Sequence, residues 1–344
     1  MRSFASDNNS GVHPLVMEAV VNANCDHAVG YGDDRWTEEA VAAIKRVFGN
    51  SAEPFFVFNG TGANSVALQA VTRPFNSILC AQTAHINVDE CGAPARMTGC
   101  SVVAIPSPDG KLTPELLQPH LHNFGVCHHS QPKAVYISQV SELGTVYTVE
   151  EVRAIADLLH GYGMYLHMDG ARLANACVAL GCTMKDVTVD AGVDILSFGG
   201  TKNGMMMGEA VISFRPEITE NLQYFRKQSA QLASKMRYLS AQFVPYLERG
   251  LWYDNAKHAN ACASRLASHL AKYPQIKFTQ KVESNQIFFT APADVLAKVR
   301  ERYFFYMWDE TAGEARLVTS WDTTDEDIDE LIRTFDECLN PTAR

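Results

Sequence analysis

The stretch ILSFGGTKNGMMMGEAVISF, residues 195–214, sets one lysine, Lys202, between two apolar runs of the kind that form buried strands. A glycine pair precedes the lysine and three methionines follow it. An ammonium group taken out of water costs free energy, so this position calls either for a charge partner or for a chemical use of the amine. Working outward, the same alternation of short apolar runs with helical patterns recurs. MYLHMD (164–169) precedes the helix-like ARLANACVALG, and AVYIS (134–138) precedes TVEEVRAIADLLHGYG, whose Thr148 and Glu151 have capping-box spacing. FFVFN (55–59) precedes ANSVALQAV, SILCA (77–81) and SVVAI (101–105) are further strand candidates, and Thr113-Pro114 reads as the start of another helix. Strand–helix–strand alternation of this kind predicts an α/β fold built on a parallel sheet covered by helices on both faces. Such sheets bind ligands at the carboxyl ends of their strands, so the residues just after each run are where chemistry belongs.

Beyond about residue 216 the pattern becomes long helices, then three strand-like runs (KFTQKVESNQIFFTA, RYFFYMW and EARLVTSWD) and a closing helix. This predicts a large domain over residues 1–250 and a smaller α+β domain over 251–344. Within 344 residues, a formal net charge of -10 argues against nonspecific nucleic-acid binding. No apolar stretch is long enough to span a bilayer, and the N-terminus lacks the apolar core of a signal peptide. Nine cysteines without a C-x-x-C pair read as free thiols in a reducing compartment, which places the protein in the cytoplasm and gives no expectation of a metal site.

Four strand ends stand out. Gly60-Thr61-Gly62 opens a helix and could seat a phosphate on free backbone N–H groups, although the spacing is neither a Walker loop nor G-x-G-x-x-G. Asp169 follows MYLHM, His85 follows SILCA, and Lys202 follows DILSF. Alone, each has a plainer reading: a tight turn, a cap, a structural histidine, a surface lysine. Together they are what pyridoxal 5′-phosphate requires: an anion seat, a carboxylate for the pyridine nitrogen, an aromatic ring for its face, and an amine for its carbonyl. Burial lowers a lysine pKa and makes the neutral amine available.

The segments SFGGTKNGMMMGEAV, HMDGARLANA, FNGTGANSVAL and QTAHINVDECGAP resemble the L-threonine aldolases among the fold-type I pyridoxal-phosphate enzymes, in the low-specificity and phenylserine aldolase branch. SDNNSGVHPLVMEAV, GYGDDRWTEEAV, SELGTVYTVEEV and RLVTSWDTT extend the resemblance over nearly the whole chain. It implies an aspartate-aminotransferase-like large domain, with Lys202 as the Schiff-base lysine, Asp169 as the pyridinium partner and His85 as the stacking residue. Gly60, Thr61 and Gly62 would hold the phosphate, helped by Thr201. Arg172 would lie beside the cofactor and the substrate carboxylate, which Arg316 clamps with Ser6 contributing. The family's shared active sites imply a homodimer or homotetramer in which Tyr31 and Arg237 reach a neighbour's cofactor. The segment QLASKMRYLS departs from the glycine-rich stretch of the family's other branches, which leaves Lys227, Lys235 and Arg237 all as candidates for the cross-subunit contact to phosphate. The implied reaction is retro-aldol cleavage of threonine or a related β-hydroxy-α-amino acid to glycine and an aldehyde. Candidates for the base are His85, His128 or His129, and a bound water. A β-eliminating lyase or racemase on the same fold is the alternative, as is a noncatalytic cofactor-binding protein, against which the set of Lys202, Asp169, His85 and Arg316 argues.

Overall fold

Residues 2–339 are described by a computed structural model. Seven strands form the larger sheet: β1 (Glu53–Val57), β2 (Asn76–Ala81), β3 (Ser101–Ile105), β4 (Gln131–Ser138), β5 (Tyr165–Gly170), β6 (Ile195–Gly199) and β7 (Glu209–Ser213). Their spatial order is β1-β7-β6-β5-β4-β2-β3. The pairs from β3 through β2, β4 and β5 to β6 are parallel, whereas β7 runs antiparallel to both of its neighbours, β6 and β1. The expectation of a parallel sheet therefore holds for six strands and fails for one. β2, β6 and β7 are buried at every position, as apolar strands with both faces covered must be.

The helices arise where the sequence supplies start signals. Thr148 and Glu151 form the expected capping box on the helix Val149–Gly161. Asp34 caps Arg35–Phe48, and Asn59 caps Gly60–Val71 by accepting the N–H of Gly62 at 2.8 Å. Thr113 caps a helix as expected, but only for Pro114–Leu117 before the chain tightens into a 3₁₀ turn.

The smaller body holds a four-stranded antiparallel sheet of β8 (Lys277–Phe278), β9 (Gln286–Thr290), β10 (Tyr306–Asp309) and β11 (Glu314–Val318), in the order β10-β11-β9-β8. One run read as a single strand, KFTQKVESNQIFFTA, is thus two. The 20-residue helix Leu251–Leu270 joins the bodies: Leu251 and Ala256 pack in the larger core, and Cys262 onward in the smaller. The N-terminal segment also belongs with the smaller body. Phe4 lies in its core, and the Phe4 N–H donates to the Phe304 carbonyl at 2.9 Å. No helix among the described residues is long and apolar enough to cross a membrane.

Aromatic packing under the ligand edge of the sheet fixes β6. Phe198, fully buried, meets Phe48 edge-on at 5.2 Å between ring centroids and lies 6.2 Å from Phe243. Replacing it leaves a void among rigid rings that cannot collapse. Phe198→Ala should lower the unfolding free energy by about 3–5 kcal/mol, whereas Phe75→Ala, at a side chain 66% exposed, should change it by no more than about 0.5 kcal/mol. Urea titration of both variants checks the contrast, and equal losses would place Phe198 outside the packed core.

Candidate active site

Because β7 is reversed, one edge of the large sheet collects the carboxyl ends of β1, β2, β4, β5 and β6 together with the amino end of β7. A cavity of about 310 Å³ opens there. Asn59, Gly60 and Thr61 line it from the β1 side, His85 from β2, Asp169 and Ala171 from β5, Thr201 and Lys202 from β6, and Glu209 from β7. The structure therefore brings Gly60, Thr61, His85, Asp169, Thr201 and Lys202 into one space, as the sequence predicts.

Asp169 is buried and accepts three hydrogen bonds: from Asn64 Nδ2 at 2.8 Å, from the Tyr136 hydroxyl at 2.7 Å and from the Ala171 N–H at 2.9 Å. Burial alone would raise its pKa. The Asn64 hydrogen bond and the charge of Lys202 outweigh that and hold the carboxyl below its ordinary value. Lys202 is pushed the other way, its pKa lowered by burial and by the Arg172 charge. Among the described residues no carboxylate lies within ion-pair distance of its Nζ; Asp7, Asp169 and Glu209 act on it only through space. The plain reading of Lys202 as a surface or salt-bridged lysine is thereby set aside.

His85 opens the short helix His85–Val88, and its backbone N–H donates to Glu142 Oε1 at 2.8 Å. Its Nδ1 lies 2.8 Å from Glu90 Oε1, which also accepts from Asn64 Nδ2 at 2.8 Å. Asn64 thus ties the His85–Glu90 pair to Asp169 through a single amide nitrogen. The Glu90 hydrogen bond raises the His85 pKa against the opposing effect of burial.

At the helix Gly60–Val71 the N–H groups of Gly60 and Thr61 remain for an anion, but that of Gly62 is taken by Asn59. Gly62 does not line the cavity, and it packs closely against the end of the Gln231 side chain. A Cβ there would come within 2.3 Å of the Gln231 side chain, whose Oε1 accepts the Phe58 N–H at 2.9 Å.

Several expectations need revision. Both oxygens of Asp7 bind Arg172, from Nε at 2.7 Å and Nη2 at 2.8 Å, so one edge of the guanidinium fork closes on a residue of the chain itself, and Nη1 and the second N–H of Nη2 remain for another acceptor. Burial would raise the Asp7 pKa, but the Arg172 charge and hydrogen bond hold it low. Arg316 stands nearby on β11. Its Nη2 donates to the Ala5 carbonyl at 3.2 Å, its guanidinium lies over the Trp308 ring at 4.7 Å, and its Nε is buried without a partner among the described residues. Burial and the Arg172 charge bring its pKa down to about 10. Ser6 caps the turn Asp7–Asn9, its Oγ accepting the Asn8 N–H, and Asn8, not Ser6, lines the cavity.

His128 and His129 are not brought to the site within one chain. They precede β4, at the opposite edge of the sheet from Ser138, and an eight-residue strand separates the edges by roughly 23 Å. Tyr31, Lys227 and Arg237 also stand apart from the cavity of their own chain. Lys227 Nζ lies 5.1 Å from the centre of the Tyr31 ring, and Arg237 donates to the Cys25 and Asp26 carbonyls. Asn64, Glu90, Tyr136, Glu142, Asp7 and Glu209 escaped the sequence reading. Only Glu90 left a local signal, five residues after His85.

Glu90→Gln should lower the His85 pKa, because the amide removes the charge and leaves only a neutral acceptor in place of the charge-assisted hydrogen bond that raises it. The pair contributes stability below the unfolded histidine value of about 6.5 that is lost as pH rises through the higher folded value. NMR titration of the His85 ring protons reads the change, and an unmoved midpoint would refute the assigned cause.

Residues 3–293 match the family model of the beta-eliminating lyases. The chain is 42% identical to a low specificity L-threonine aldolase of Pseudomonas sp. (strain NCIMB 10558), over 96% of each chain, and 41% identical to one of Pseudomonas aeruginosa, again over 96% of each. A solved threonine aldolase of Leishmania major superposes with a TM-score of 0.93 at 29% identity, covering 98% of this chain and all of that one. An alanine–glyoxylate aminotransferase of Nostoc sp. superposes at a TM-score of 0.72 with 16% identity, over 98% of this chain and 96% of that one, a likeness of fold alone.

Proposed function

The chain belongs to the beta-eliminating lyase family, and from that premise we propose that it is a carbon–carbon lyase of the threonine aldolase type. It cleaves L-threonine, L-allo-threonine and related β-hydroxy-α-amino acids to glycine and an aldehyde, with pyridoxal 5′-phosphate as cofactor. The observation that carries the reading is the unpaired Lys202 amine in a cavity it shares with the ionised Asp169.

The residues present fit the cofactor. Lys202 provides an amine whose ammonium form is disfavoured, Gly60 and Thr61 provide helix-terminal N–H groups for the phosphate, and Asp169 provides a low-pKa carboxylate able to hold a proton on the ring nitrogen. When bound, the cofactor supplies an electron sink for the electrons of the bond that breaks at Cα.

The protein decides which bond that is. Arg316 offers a buried Nε donor with no partner among the described residues, held in place by the Trp308 ring, and a guanidinium fork suits the substrate carboxylate. Fixing that carboxylate turns the Cα–Cβ bond into the orientation for cleavage, so positioning selects the reaction. His85, with Nδ1 tied to Glu90, leaves Nε2 to take the β-hydroxyl proton; of the histidines considered for this role, it alone lines the cavity. Arg172, locked to Asp7, acts through its charge, which disfavours the protonated amine of Lys202.

We also infer an oligomer in which Tyr31 and a basic residue among Lys227, Lys235 and Arg237 serve a neighbouring copy's cofactor. Its support is that none of the four lines the cavity of its own chain. Nine unpaired thiols among the described residues support a cytoplasmic setting.

Two variants test the reading. Lys202→Ala should abolish turnover and borohydride-stable attachment of pyridoxal phosphate, read by mass spectrometry. A covalent adduct elsewhere, or near-parental cleavage of threonine, would defeat it. Arg316→Ala should retain the cofactor and raise KM roughly 10- to 100-fold, the loss expected for a charge-assisted hydrogen bond. Steady-state kinetics with threonine would reject the clamp if KM stayed unchanged.

A further inference from the structure

Glu209 is a buried carboxylate that the reaction described above does not use. It is the first residue of β7, and the reversal of that strand brings its amino end, rather than its carboxyl end, to the ligand edge. In register it sits between Gly199 of β6 and Val57 of β1. Val57 leads through Phe58 and Asn59 into the helix Gly60–Val71, so Glu209 lies at the root of the anion seat. Its side chain lines the cavity and fills the notch over Gly199, where a Cβ would come within 1.1 Å of Glu209 Oε2. Glu209 Oε1 accepts the Thr201 hydroxyl at 2.9 Å.

Among the described residues no cation is within ion-pair distance of Glu209. The charged groups that face it are Lys202 and Asp169, of opposite sign. An ionised carboxylate there would repel a phosphate on the same seat, while a protonated one would offer it a donor. Resting on the cofactor reading above, we propose that Glu209 is a ligand of the cofactor phosphate that binds as the neutral acid, its hydroxyl donating to the phosphate while its other oxygen keeps the Thr201 hydrogen bond. Above the pKa of the free carboxyl, cofactor capture then takes up one proton. The proton is at hand near neutrality: burial, helped by the Asp169 charge, brings the Glu209 pKa up to about 7, with Thr201 and Lys202 opposing.

The test uses pyridoxine 5′-phosphate, which carries an alcohol in place of the carbonyl and cannot bond to Lys202, with affinity measured from pH 6 to 9. Relative to Glu209→Gln, the parent protein should lose affinity about tenfold per pH unit above pH 7. The amide keeps both hydrogen bonds at every pH, and titration of the ligand's own phosphate is common to both proteins. Thr201→Val supplies a second reading. Removing the hydrogen bond that lowers the Glu209 pKa should move the fall in affinity to higher pH, whatever its effect on affinity overall. Superimposable profiles for parent and Glu209→Gln, or an unmoved inflection in Thr201→Val, would overturn the proposal. If pyridoxal phosphate still forms a borohydride-stable bond to Lys202 in those cases, the cofactor reading stands and the Glu209 assignment alone falls. If the parent neither binds the probe nor traps the aldehyde, both fall.

Discussion

The structure turns on keeping one amine short of an ion pair. Lys202 sits at the end of a buried strand, where an ammonium is poorly solvated, and the surrounding carboxylates are near enough to feel but not to bond. A direct ion pair would return it to the protonated form and end its use as a nucleophile. The chain avoids this by giving each competing carboxylate another partner. Asp169 is held by Asn64, Tyr136 and the Ala171 N–H, Asp7 by Arg172 and Asn285, and Glu209 by Thr201.

The same arrangement ties the two bodies together. Asp7 bonds Arg172 of the larger body and Asn285 of the smaller, while Arg316 reaches the Ala5 carbonyl two residues before it. The N-terminal segment is therefore the common wall between the cavity and the small sheet. Removing Asp7 would cost more than a contact, since it would leave Arg172 buried without its counter-charge beside a second arginine.

Legibility in the sequence followed chain locality. Strands, caps and the residues after each parallel strand could be read because their signals lie within a few positions: Thr148 with Glu151, Thr113 with Pro114, Lys202 after its glycines. Partners were not readable, since they are set by tertiary approach. Asn64 meets Asp169 across 105 positions and Arg172 meets Asp7 across 165. Glu209 was missed for a more specific reason. Searching after strands assumes they all run one way, and only the register of β7 reveals that its first residue belongs to the site. His128 shows the converse: a histidine beside a strand is at the wrong edge if it precedes the strand.

Four acids in and around the site whose pKa values are shifted divide into two kinds. Asp7 and Asp169 have both carboxylate oxygens engaged by donors, and their pKa values are held low. Glu142 receives its two donors, Ser138 Oγ and the His85 N–H, on the same oxygen, and Glu209 receives only Thr201; burial raises both. Where donors reach both oxygens the anion is stabilised, and where one oxygen is left over it can carry the proton. Environments that push like groups apart in this way assign the charged and neutral roles. Here they leave anions opposite the amine and the ring nitrogen and, on the proposal above, an acid in reserve where the phosphate arrives.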